Sequence, residues 1–193
     1  MKSQCKFKID ILILLSLCCV FFSASNVGAA EEKELWAALR NGSAFAIMRH
    51  AIAPGVGDSA NFDVNDCATQ RNLSDEGRKQ ASKIGDRIRR HGINNAAVFS
   101  SAWCRCRETA ELLKIGDAFT LISLNSFYRN SSQRGPQTKA LRVWLEKYEI
   151  RSPLFLVTHN VNIRALTGVF TSQGEIVVVK RNKQGELDIL GTL

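Results

Sequence analysis

Three short apolar runs limit what this chain can become: AFAIM (Ala44–Met48), AAVFSS (Ala96–Ser101) and PLFLVTH (Pro153–His159). Each is bounded by turn or polar residues, the first leading into a long irregular loop over residues 51–72 and the others into a helical pattern, so each reads as a strand hidden on both faces. Such a strand has no packing reason to finish on charged or hydrogen-bonding side chains. Yet the first ends in Arg49-His50, the second in Ser100-Ser101 and the third in Thr158-His159. Between them the sequence predicts helices over Glu31–Gly42, from a Ser74 cap to Gly92, over Ala102–Gly116, from Pro136 to about Glu149, and from Asn160. EIVVVKR and ELDILG close the chain as a pair of strands. The alternation predicts a three-layer α/β domain, with a mostly parallel central sheet and helices on both faces. In such sheets ligands bind outside the carboxyl ends of the strands, where these polar residues collect.

The amino terminus obeys a different logic. Lys2, Lys6 and Lys8 precede ILILLSLCCVFF (Ile11–Phe22), which is shorter than the roughly 20 apolar residues that span a bilayer. SASNVGAA follows, with small residues placed for a signal peptidase at Val27-Gly28-Ala29 or Gly28-Ala29-Ala30. The expected organisation is a signal peptide over 1–30 and one domain over 31–193. The protein is then periplasmic or secreted, with no stable membrane insertion once the segment is removed. An uncleaved anchor is the alternative; a lipoprotein is disfavoured by the bulk of Leu17 before Cys18.

Loss of three lysines and Asp10 takes the formal charge from +8 to +6, a basic balance that suits anionic small molecules. Nothing in the pattern calls for nucleic acid. Cys67, Cys104 and Cys106 remain, and in an oxidising compartment three cysteines imply one disulfide and one spare thiol. Cys67 with Cys104 or Cys106 is the expected bridge, because residues two apart on a helix face different ways.

His50, His159, Arg49 and Arg105 are the candidate constellation. They lack carboxylates or thiolates at a spacing that recruits zinc, and a fixed guanidinium repels a metal cation, so neither a metal nor another cofactor is expected. Arginine forks match phosphate oxygens. A histidine among them can attack phosphorus, while the second histidine and the arginines stabilise the equatorial oxygens. The starts of the helices at Ala102 and Asn160 would add backbone donors. A backbone carbonyl between Ala51 and Gly55 is expected to hold Nδ1 of His50, and His159 is expected to be protonated. His91, at a helix end, reads as a surface residue.

RHA after a strand, LSDEGRKQA, SSAWCRCRETA and VTHNVNI, in this order, resemble the histidine phosphatase superfamily, also called phosphoglycerate mutase-like, from Ala44 to about Gly168. The resemblance implies His50 as nucleophile, Arg49 and Arg105 as phosphate-binding residues, and His159 as the second histidine, with a small phosphorylated substrate. RHA stands where RHG is usual. The family's general acid is missing from both of its usual places: LNSFYRN holds no carboxylate, and Asn160 follows the second histidine where an aspartate is expected. Asp58 is the first substitute, with Asp63, Asp66 and Glu108 behind it; Glu108 also reads as an i,i+3 partner of Arg105. The function expected is an exported, metal-independent phosphatase of a phosphomonoester, with an envelope phosphate as one substrate option. The rivals are a mutase, a phosphate-binding module that has lost catalysis, and a thiol-disulfide protein using Cys104 and Cys106.

Overall fold

A computed structural model describes the backbone of residues 24–193 and the side chains from residue 31 onward. The expected basic and apolar parts of a signal peptide therefore lie outside the described residues. Helix α1 runs over Ala24–Arg40, seven residues earlier than the sequence pattern places it. The residues that anchor it, Leu35, Trp36 and Leu39, all follow residue 31. No helix among the described residues is long and apolar enough to cross a membrane.

Strand β1 (Phe45–Arg49) shows why the core has two halves. Side chains alternate across a strand. Ala46 and Met48 accordingly pack with α1, α2 (Asp75–Arg90) and α3 (Cys104–Leu113). Phe45 and Ile47 face the opposite way, toward α4 (Arg134–Lys147) and α5 (Asn160–Thr167). The same alternation continues in β4 (Leu154–Thr158), where Phe155 and Val157 join the first cluster and Leu154 and Leu156 the second. A fully apolar run is what two covered faces require.

The sheet has six strands in the order β3-β2-β4-β1-β5-β6. Strands β2 (Ala97–Ser100), β3 (Ala118–Thr120), β4 and β1 are parallel, whereas β5 (Ile176–Arg181) and β6 (Leu187–Thr192) are antiparallel additions. Strand β3 is the element the sequence pattern misses. It is short and mostly exposed, an edge strand held by β2 alone. Helix α3 also ends sooner than expected, at Lys114 in the left-handed region.

Register does the positioning. Arg49 pairs with Thr158, and Ser100 with Val157, so β1, β4 and β2 end level with one another. His50, His159 and Ser101 consequently leave one sheet edge side by side. Two glycines of α2 set how close the surrounding helix can come. A Cβ on Gly77 would lie 2.0 Å from the carbonyl oxygen of Ile52, and one on Gly85 would lie 2.2 Å from that of Leu113.

Candidate active site

The turn after β1 fixes the first histidine. Nδ1 of His50 donates to the carbonyl of Ala51 at 2.8 Å, the arrangement expected from the sequence, which leaves Nε2 as the unprotonated nitrogen. The turn is itself pinned: the Ala51 amide donates to Oγ1 of Thr109 at 3.0 Å, and that hydroxyl donates to the carbonyl of Arg105 at 2.6 Å. Gln80 of α2 accepts from the Ile52 amide and donates to the carbonyl of Gln173. The threonine of RETA and the glutamine of GRKQA are thus the clamps of the His50 turn.

His159 sits on the adjoining strand end, its ring centroid 5.6 Å from that of His50. Its Nδ1 lies 3.4 Å from Nη2 of Arg105, and its Nε2 lies 2.9 Å from Oγ of Ser101. A guanidinium can only donate, so Nδ1 accepts and Nε2 carries the proton given to Ser101. His159 is therefore neutral in the free protein. Burial, then the nearby Arg105 charge, holds its pKa well below the ordinary value. The same causes, burial first and Arg105 second, bring His50 down to about 3 despite the Ala51 hydrogen bond.

The arginines enter from different elements. Arg49 donates through Nη1 to the carbonyl of Thr171 at 2.9 Å. Thr171 in turn donates, through its amide and hydroxyl, to Oδ1 of Asn160. Asn160, standing where an acid was sought, thus buttresses Arg49. Arg105 forks onto Asp58, with Nη1 to Oδ1 at 2.6 Å and Nη2 to Oδ2 at 3.3 Å. The Nε atoms of both arginines are buried and have no partner among the described residues.

Asp58 also accepts from Nε1 of Trp103 at 3.1 Å and from the Arg71 amide at 3.1 Å. Burial alone would raise its pKa, but the hydrogen bond and charge of Arg105, with the other two donors, outweigh it and lower the pKa. Asp58 is at the site and ionised. The other acid candidates stay apart from it: Asp63 and Asp66 cap turns of the exposed loop, and Glu108 pairs with Arg78 rather than with Arg105.

The expected backbone donors divide. At α3 the amides of Ala102, Trp103 and Cys104 already donate to Asn125, Ser101 and Gln70, so this helix start is occupied by the protein's own acceptors. At α5 the amides of Asn160 and Val161 have no partner among the described residues, and both residues line the cavity.

That cavity, about 250 Å³, is lined by Arg49, His50, Asp58, Arg105 and His159 together. Arg71, Tyr128 and Arg129 line it too, and sequence reasoning had not singled them out as site residues. Arg71 closes the loop by donating to the carbonyls of Gly57 and Ala53. Such contacts exist only after the loop has folded back, so no local pattern announces them. Cys67 and Cys104 form the disulfide, which ties that loop to the first residue of α3. Cys106 is the free thiol, fully buried, and burial pushes its pKa up to about 12. One sulfur bridged and the other inert is the opposite of a redox pair.

Residues 47–124 match the model of the histidine phosphatase superfamily, branch 1. The match covers the segment from β1 to the residues just after β3, and the fold around it is one that solved phosphatases share. Three solved structures share its fold at low identity. The protein histidine phosphatase SixA, complexed with tungstate, is 17% identical with a TM-score of 0.58, covering 78% of this chain and 96% of its own. A mycobacterial glucosyl-3-phosphoglycerate phosphatase is 13% identical with a TM-score of 0.57, covering 76% and 96%. A phosphoserine phosphatase from Entamoeba histolytica, solved with 3-phosphoglyceric acid, is 12% identical with a TM-score of 0.56, covering 77% and 95%. No curated protein sequence matches the chain significantly.

Proposed function

We propose that this protein is a histidine phosphatase, an exported hydrolase of phosphomonoesters that works through a phosphohistidine on His50, without a metal. The observation that carries the reading is the hydrogen bond from Nδ1 of His50 to Ala51. It presents a neutral Nε2 to a cavity ringed by Arg49, Arg105 and His159. The Nε2 lone pair attacks phosphorus as the ester P–O bond breaks, and Arg49, Arg105 and the α5 amides hold the equatorial oxygens. Water then attacks phosphorus as the P–N bond breaks, passing a proton to the Asp58 carboxylate, which releases inorganic phosphate and returns His50 to its neutral form.

The leaving oxygen needs a proton, and Asp58 supplies it in this reading. In the free protein Arg105 keeps Asp58 ionised. An incoming phosphate dianion competes for the same guanidinium. Once Arg105 turns to the phosphate, Asp58 loses its cation beside two negative oxygens, and its pKa rises toward that of a donor. His159 gains a proton by the same logic, since a dianion beside its Nδ1 favours the charged ring.

The proposed organisation keeps residues 1–30 as a signal removed on export, which leaves every anchoring residue of α1 in the mature domain at 31–193. The disulfide is consistent with an oxidising compartment. Envelope phosphates are the proposed substrates, met in a compartment without the phosphorylated donor pool a mutase needs. A second reading, a phosphate-binding module, is favoured by the Asp58–Arg105 pair alone. Hydrolysis of 4-nitrophenyl phosphate in excess chelator tests the proposal. Turnover at an undiminished rate is expected; turnover only with added divalent metal would overturn the mechanism, and phosphate binding without turnover would favour the module.

A further inference from the structure

The charges lining the cavity do not balance. Arg49, Arg71, Arg105 and Arg129 line it, and Asp58 is its one carboxylate. Asp58 is paired with Arg105, while Arg49, Arg71 and Arg129 form no salt bridge among the described residues. The walls thus hold three positive charges beyond what the protein neutralises. A phosphomonoester dianion brings two negative charges. The dianion leaves at least one guanidinium unmatched, and its position says which.

Arg49 and Arg105 flank the histidines at the cavity floor. Arg71 is committed to the loop, with Nε and Nη1 on the carbonyls of Gly57 and Ala53 and its carbonyl accepting from Arg105. Arg129 is exposed at the mouth, and its one hydrogen bond runs from Nη1 to the carbonyl of Ser59 at 2.6 Å. The guanidinium is thereby tethered with its remaining N–H groups uncommitted. Beside it the mouth is apolar: Val56 is 84% exposed and Tyr128 57% exposed, and both line the cavity. Phe62, stacked on Trp103 at 5.0 Å, extends that wall inward. From floor to mouth the cavity offers cations, an apolar wall, then one more cation.

Resting on the phosphatase reading, we infer that the substrate's leaving group carries a second anionic group, a carboxylate or a second phosphate, which Arg129 binds at the mouth while the intervening carbon body lies along Val56 and Tyr128. A neutral alcohol or sugar leaving group would leave Arg129 unused. A charge-assisted hydrogen bond to a partly exposed arginine corresponds to roughly tenfold in affinity.

The test uses non-hydrolysable ligands, so that it does not depend on turnover. Benzylphosphonates bearing a para carboxylate, a para phosphonate or a para carboxamide are titrated calorimetrically into the protein. Both anionic forms should bind roughly tenfold more tightly than the amide, and the better of the two identifies a carboxylated or a bisphosphorylated substrate. Arg129→Ala should bring the ratio close to one, whereas Arg151→Ala, an exposed charge on another surface, should keep it. An amide that binds as well as the anions, or a preference that survives Arg129→Ala, would overturn the inference. The corresponding phenyl phosphates separate the two claims. Hydrolysis without anion preference sinks the second anion alone; preference without hydrolysis sinks the phosphatase reading alone.

Discussion

At the scale of single residues the two histidines look equivalent, since each ends a buried strand at one sheet edge. Their partners distinguish them. Nε2 of His50 carries a lone pair, whereas Nε2 of His159 spends its proton on Ser101 and its Nδ1 faces a guanidinium. Quenching turnover of a labelled ester should leave acid-labile, base-stable phosphate on His50, mapped by peptide mass spectrometry. His50→Ala should abolish the label; label found on His159 or Ser101 would reverse the assignment. Asp58 gives a sharper test of role. As the acid it matters only when the leaving group needs a proton, so Asp58→Asn should slow an alkyl phosphate by about 10²–10⁴-fold and 4-nitrophenyl phosphate far less. Equal losses on both esters would make Asp58 an organiser of Arg105 instead. The sequence offered Asp58 as a substitute acid but gave no sign of its pairing with Arg105, because 47 positions separate them.

Elements impose the next constraint. Trp103, just before helix α3, and its first two residues, Cys104 and Arg105, all reach back to the loop after His50: Trp103 and Arg105 to Asp58, Cys104 to Cys67. The bridge therefore restrains the loop relative to the helix rather than the sheet core. Non-reducing peptide mass spectrometry of exported protein should show Cys67 joined to Cys104 and Cys106 free. The Cys67→Ser/Cys104→Ser pair should lose more in kcat/KM than in melting temperature; the opposite order would make the bridge a stability device. Close approach of α2 to α3 gives a contrasting case. Gly85→Ala drives a methyl group into the Leu113 carbonyl and should cost about 1–3 kcal/mol, read as a lowered urea midpoint, with the site chemistry little altered. The sequence pattern located both helices and the Ser74 cap from local cues. It could not show why Gly77 and Gly85 are glycines, since the backbones that exclude a side chain there come from other elements.

For the whole molecule, burying two neutral imidazoles and an ion-paired carboxylate links stability to pH. His50 and His159 bind protons in the unfolded chain near pH 6.5 but resist them when folded, His50 down to about 3. The unfolded state then holds more protons below pH 6.5, so stability is full above that value and falls as the pH drops toward 3. Asp58, lowered when folded, adds to the loss at the acid end. Each histidine contributes a slope of about 1.4 kcal/mol per pH unit within that window. Urea unfolding between pH 7 and 4 should show the midpoint falling, and His50→Asn should make the fall shallower; a flat profile would mean that the rings are solvated. By itself the sequence determined every strand but β3, the helices, the sheet edge where the polar residues collect and the residue types that suit phosphate. Periodicity, caps and strand-end polarity are local properties written in consecutive residues. The tertiary structure alone decided that Asp58 forks onto Arg105, that Asn160 buttresses Arg49, that His159 is neutral, and that Arg71 and Arg129 join the cavity. Those facts depend on distances between segments far apart in the chain, and on the burial that sets each group's charge, neither of which exists until the chain has packed.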